Sequence, residues 1–333
     1  DEVYPLVFLW AVALSTSHAS PLFEDDAVLS VTLSGPLSSV IADTDERRER
    51  EFSLNVDGVD HKVKVRMRGN SRALKCSFPP LRLNFSSSQT DGNIFSGQKK
   101  LKLVTHCKLP DDYEANVLEE YAAYRIYNLL SDLSYRTRLL RIRYIDTDDP
   151  GRAPLSRLAF LIESDKALKA RLGAELIETP HLTRNQLNAQ HSALVSVFHY
   201  LIGNTDWSQV RFIEDDNCCH NGRLIRIAEQ YYLVPYDFDM AGLVNARYAK
   251  PHPDLRLRSV KTRRYRGYCT SKQVLRDALR EIVARREEIL RVIEELPGSS
   301  AKDTESRLSY LQGFFKAAAN EEKLLRKFER RCL

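Results

Sequence analysis

Residues 52–68 read FSLNVDGVDHKVKVRMR. Phe52, Leu54 and Val56 alternate with polar residues, Asp57-Gly58 supplies a two-residue turn, and Val63, Val65 and Met67 resume the alternation. Period two on both sides of a D-G step predicts a β-hairpin with one face in a core. Working outward, 27–34 reads as a strand ending at the Gly35-Pro36 break, and 81–85 and 99–104 read as two more. A helix is expected over 112–131, where Val117, Leu118, Tyr121, Ala122, Ile126 and Leu130 form one apolar face. Strands at 138–145 and 156–163 flank an Asp-Pro-Gly turn.

After about residue 165 the pattern changes. A helix over 183–202 carries Leu187, His191, Leu194, Val195, Phe198 and Leu201 on one stripe. Short strands at 210–214, 223–227 and 231–235 follow, then helices at 271–296, 302–316 and 320–331. The reading is α+β in two lobes, a β-rich N-terminal lobe over 20–163 and a mostly helical C-terminal lobe over 164–333. The 333 residues are 43% hydrophobic and 29% charged, with 13 Gly and 13 Pro, which excludes collagen-like and low-complexity classes. A net charge of +5, spread along the chain, gives no support for a nucleic-acid partner.

Residues 6–14, LVFLWAVAL, are one apolar run, too short for the roughly 20 residues that span a bilayer. Ser17 and Ala19 in the following STSHAS suit a cleavage site. Residues 1–19 are therefore expected to be a signal peptide, and the protein to be exported, periplasmic or extracellular. No other run is long enough for a transmembrane span. Six cysteines, an even number in an exported chain, favour disulfides, with Cys76–Cys107 the preferred bridge because both lie in what reads as one sheet. Cysteine and histidine spacing excludes a zinc site. His191 and His199 would stand roughly 12 Å apart along one helix, too far to share an ion.

Two segments carry chemistry. GNTDWS, 203–208, follows the long helix, and VPYDFDMAG, 234–242, follows a strand. Asp206, Asp237 and Asp239 thus stand at the ends of regular elements, where carboxylates on short loops suit a hard cation such as magnesium. Phe238 between two acids anchors the turn while both acids point elsewhere.

An acid loop after a helix, a β-hairpin and then D-F-D-x-x-G resembles the active site of the CotH proteins, spore-coat-type atypical kinases. Over about 60–320 the chain looks like a member of an exported bacterial branch of that family. The resemblance implies a protein-kinase-like fold and an ATP- and Mg2+-dependent phosphotransferase, with Asp206 catalytic and Asp237 or Asp239 holding the metal. RMRGNSR at 66–72 and PLRLNF at 80–85 are similar to the family's R-G-N-S segment and the strand after it, so Arg68 is expected at phosphate, with Arg66 and Arg72 adding charge. In KKLKLVTHC, 99–107, Lys102 is the expected phosphate-binding lysine, with Lys100 its rival on the same face. Of the helix acids Glu119 and Glu120, Glu119 is preferred as its brace. Glu163, in the strand that would join the lobes, is expected at the ribose.

The chain departs from the kinase pattern in two ways. Five residues after Asp206 stands Arg211, not Asn; Asn217 and Asn221 are the next candidates, and Asn221 is preferred as a metal ligand because it precedes a strand. There is also no G-x-G-x-x-G loop. Two rival functions follow, an inactive exported coat or binding protein on the same scaffold, and a metal-dependent hydrolase. The phosphate acceptor, whether protein, sugar or lipid, stays open. The basic run 261–269, KTRRYRGYC, is a candidate for an acidic substrate.

Overall fold

A computed structural model describes residues 20–179, 182–209 and 218–333. The expected leader at 1–19 and strand at 210–214 lie outside the described residues, as do Arg211 and Asn217.

The first half is a β-barrel. Its strands are β1 (Leu29–Gly35), β2 (Arg50–Val56), β3 (Val59–Met67), β4 (Leu81–Phe85), β5 (Lys100–Val104), β6 (Thr137–Asp146) and β7 (Leu155–Ile162). Their order is β1-β2-β3-β4-β5-β7-β6, and β6 returns to pair with β1, in parallel. The hairpin β2–β3 turns where Asp57 and Gly58 take φ of 51° and 82°, the left-handed pair that a two-residue turn demands. Alternate residues such as Leu33, Phe52, Val65, Leu83 and Leu103 fill the barrel interior. The β-rich lobe expected over 20–163 is a closed barrel, and pairing β1 with β6 removes two sheet edges at once. Local alternation reports which face is buried and is silent about closure. The short helix α1 (Leu37–Ala42) follows β1, and α2 (Ser71–Lys75) follows β3.

Helix α3 (Asp111–Leu130) leaves the barrel with Asp111, Asp112 and Glu114 in its first turn, where the helix dipole favours acids. Residues from Val117 to Tyr124 are all buried, polar ones included. The helix is sheathed on every side. Its apolar positions and Leu158, Phe160 and Ile162 of β7 join the large core of the helical half.

That half holds α4 (Asp165–Leu172), α5 (Ala189–Ile202), α6 (Lys272–Ala284), α7 (Arg286–Glu294), α8 (Ala301–Ala318) and α9 (Glu321–Glu329). A small sheet, β10-β9-β8, combines β8 (Glu175–Leu176), β9 (Gly222–Ile227) and β10 (Gln230–Pro235). The fold class is thus α+β. Two helices differ from expectation. α5 begins at Ala189, because Asn188 caps it by accepting from the His191 N–H, 2.9 Å. The helix expected over 271–296 breaks at Arg285, whose φ and ψ of −96° and 18° leave the helical region. Three disulfides, Cys76–Cys107, Cys218–Cys219 and Cys269–Cys332, use all six cysteines. Among the described residues no helix is long and apolar enough to cross a membrane.

Candidate active site

The two acidic segments meet at the end of α5. Gly203 ends that helix at φ 69°, and its carbonyl accepts the Gly242 N–H at 3.1 Å while Leu243 N–H donates to Ile202 at 2.9 Å. A Cβ at Gly242 would stand 2.5 Å from the Val260 carbonyl, so only glycine permits this approach. Phe238 is fully buried, with ring centroids 4.6 Å from Tyr124 and 5.5 Å from Phe198. His199 stacks on Trp207 at 4.1 Å, next to Asp206. His191 instead reaches the Leu233 carbonyl at 2.8 Å, so the two histidines serve separate packing roles. Asp237 takes φ 60° and its N–H donates to Tyr124 Oη at 2.9 Å.

Arg72, on α2, binds the acidic turn to α3. Its Nε donates to Asp239 Oδ2 at 2.7 Å and its Nη2 to Glu120 Oε2 at 2.6 Å, with Asp237 Oδ1 at 3.7 Å. The Cys76–Cys107 bridge lies directly after this five-residue helix and anchors it. Burial, against the pull of Arg72, brings the Glu120 carboxyl up to about 7. Burial and then Asp239 raise Asp237 above the ordinary carboxylate value, with Arg72 and Arg68 opposing. Asp237 keeps 49% of its side chain exposed, whereas Asp239 keeps 10%.

Asp206 faces a different set. Its Oδ1 lies 3.0 Å from His220 Nε2, and its Oδ2 and backbone oxygen accept from Asn221 Nδ2 at 3.1 and 2.7 Å. Burial works to raise this carboxyl, but the His220 and Asn221 contacts outweigh it and hold it below the ordinary value. Two arginines of the basic run brace the neighbouring backbone. Arg266 donates to the Thr205 carbonyl, and Arg263 to the Leu201 and Tyr310 carbonyls, so they are structural ties.

Lys102 stands with Nζ 4.8 Å from the Tyr236 ring and 5.9 Å from the Tyr135 ring. Burial pulls its ammonium down to about 8, with Asp165 opposing and Arg68 and Arg223 adding to the fall. Arg68 Nε is buried and has no hydrogen-bond partner. The structure separates Glu119 from Lys102: Glu119 accepts from Arg307 and, at 2.8 Å, from Asn116. On a helix buried all round, the preceding and following acids face opposite ways, and it is Glu120 that faces the site. Glu163 is also removed from its expected role. Arg171 pairs with both its oxygens, at 3.0 and 2.9 Å, and the Arg136 N–H donates to it at 3.1 Å, leaving the carboxylate 4% exposed. Sequence reasoning named Glu120 only as the rival of Glu119 and missed His220 and Asp165, the last held by Tyr135 at 2.7 Å and Arg223 at 2.8 Å.

Among the described residues no three His, Cys, Asp or Glu side chains converge as a protein-only metal site. A magnesium held by one or two carboxylates, with water and phosphate completing the octahedron, needs no such convergence. Asp237 is open, and Arg72 engages one oxygen of Asp239, so the donor set fits that kind of ion. Asn221 donates to Asp206 through its amide nitrogen, and a metal ligand would use its amide oxygen, which these bonds do not engage.

No family model matches the sequence, and no curated protein does. Among solved structures, the Helicobacter pylori proinflammatory kinase CtkA superposes with a TM-score of 0.39 at 13% identity, over 86% of this chain and 96% of that one. A likeness that low carries no argument, and the functional reading rests on the site.

Proposed function

We propose that this chain is an exported phosphotransferase of CotH-like kinase type that uses ATP and Mg2+. One observation carries the reading: a buried cation, Arg72, joins a helix acid, Glu120, to an acidic turn whose second acid, Asp237, is open. Kinase-type sites pair a strand lysine with a helix glutamate beside a metal-binding acid, and here Arg72 takes the lysine's place on the glutamate. Lys102 and Arg68 bring unpaired positive charge to the same turn and would hold donor phosphates. Asp237 and Asp239 would hold magnesium, which when bound neutralises phosphate charge. Asp206 orients the acceptor hydroxyl. A carboxylate held below its ordinary value is a weak base, so its work is alignment. Three disulfides agree with folding in an oxidising compartment.

A second reading has its own observation. Both carboxylate oxygens of Asp206 are engaged by His220 and Asn221. A binding protein that keeps the scaffold without turnover would bind ATP and Mg2+ and transfer nothing. The test is phosphate transfer from labelled ATP, alongside nucleotide binding read by thermal shift. Asp206→Ala is expected to abolish transfer and to keep the ATP-Mg2+ shift. Equal loss of both would overturn the role given to Asp206, and binding without transfer in the wild type would favour the second reading.

A further inference from the structure

The register of the barrel strands puts two cations that the candidate site does not use, Arg66 and Arg82, in line with Lys102, which it does. Arg66 of β3 is directly opposite Arg82 of β4, and Arg82 is directly opposite Lys102 of β5. One step along the same outer face, Lys64, Asn84 and Lys100 form a second row. Like charges directly opposite one another weaken a sheet. Among the described residues no carboxylate lies within ion-pair distance of Arg66, Arg82 or Lys102. Two acids stand near the rows, Glu49, which accepts from Asn84 at 3.1 Å, and Asp165, which is held by Arg223 at 2.8 Å. Burial and then the charge of Arg66 push Arg82 below its ordinary value, more than Glu49 and Asp165 raise it.

Two further observations point to a ligand. Arg68, one step nearer the acidic turn, has its buried Nε without a partner. At the far end, Lys64 and Asn84 also line an open groove of about 850 Å³ with Lys99, Ser86 and one acid, Glu51, which is opposite Lys64 on β2. From Arg68 to Lys64 the face runs roughly 13 Å, and across three strands roughly 10 Å. That area exceeds what one phosphate group covers.

We infer that the outer face of β3, β4 and β5 is a binding track for a polyphosphate-class anion, one that carries several clustered phosphates. Guanidinium and ammonium groups at strand spacing meet successive phosphates with charge-assisted bonds, and the anion cancels the cross-strand repulsion. The track leads to the acidic turn, and its occupancy does not depend on phosphotransfer.

The experiment titrates the full chain with inorganic polyphosphate, without nucleotide or metal, by calorimetry at two salt concentrations. Binding is expected in the wild type, weaker at high salt. Arg66→Gln with Arg82→Gln should weaken it at least about tenfold, the scale of a lost charged hydrogen bond. Arg141→Gln with Arg143→Gln, two exposed cations on β6, should leave it unchanged. Equal loss in both pairs would show diffuse charge attraction and overturn the track, as would wild-type affinity in the first pair. The melting temperature of unliganded Arg82→Gln is the second readout. It should match or exceed the wild type, and a clear fall would mean that Arg82 is satisfied within the protein. Polyphosphate binding needs no acceptor, so its loss and the loss of transfer are read separately.

Discussion

Arg72 Nε lies 2.7 Å from Asp239 Oδ2, a bond between residues 167 apart in the chain. The same guanidinium holds Glu120, so a five-residue helix beside the barrel sets the distance between α3 and the acidic turn. Arg72→Gln would strand three acids around a site where Glu120 is only 3% exposed. Breaking a buried pair from one side costs about 3–5 kcal/mol, and urea unfolding should show a loss of that size. Adding Glu120→Gln should return part of it. A loss below about 1 kcal/mol would mean the acids find other partners.

The two acids of the turn should separate by mutation. Asp237 carries a raised carboxyl and its nearest cation is 3.7 Å away, so Asp237→Asn removes repulsion. The unliganded variant should melt no lower than the wild type, and its response to magnesium should vanish. Asp239→Asn removes a charge-assisted bond to Arg72 and should cost about 1.5–3 kcal/mol. Thermal melts with and without magnesium read both, and the reverse order of stability would refute the assignment.

Glu119 predicts a pH dependence away from the acidic turn. Burial raises its carboxyl from 4.5 to about 7, more than Arg307 and Asn116 lower it. The folded protein therefore holds this proton more tightly than the unfolded chain. Its contribution is fully present below about 4.5 and is lost as pH rises through about 7. Urea unfolding at pH 5 and pH 7.5 should show a decline that is smaller in Glu119→Gln by on the order of 2 kcal/mol, the remainder belonging to Glu120, whose carboxyl is raised in the same way. Parallel pH profiles would remove Glu119 as the cause.

The Cys76–Cys107 bridge spans 31 residues. Loop entropy assigns such a closure about 4 kcal/mol. Replacing both cysteines by serine should lower stability by that order and loosen α2, so a fall in nucleotide affinity should accompany it. Thiol counting on the unfolded, unreduced protein should find none of the six cysteines free.

The hairpin at 52–68 was legible because alternation and an Asp-Gly turn are local signals. β4 runs Leu81–Phe85, the residues expected, for the same reason. Barrel closure was not legible, because the β1–β6 pairing has no local signature. The choice between Glu119 and Glu120 failed for a physical cause: a helix buried on all sides has no polar face to read. Arg72 was visible only as one charge among three, since its partners come from α3 and from a turn far along the chain. The row Arg66–Arg82–Lys102 exists only in the register. Asp206, by contrast, could be singled out from its position just after a helix end at Gly203.

The parallel pairing of β1 with β6 also governs the time course of folding. Leu29 waits for Leu140, more than a hundred residues later, before its second neighbour exists. Contacts that distant slow folding, and an emerging strand meanwhile keeps a bare edge. Strands β2 to β5 can zip as local hairpins while the chain is still being made, but the last stave cannot be set until β6 has appeared. The barrel therefore stays open along one seam until most of the first half has been made.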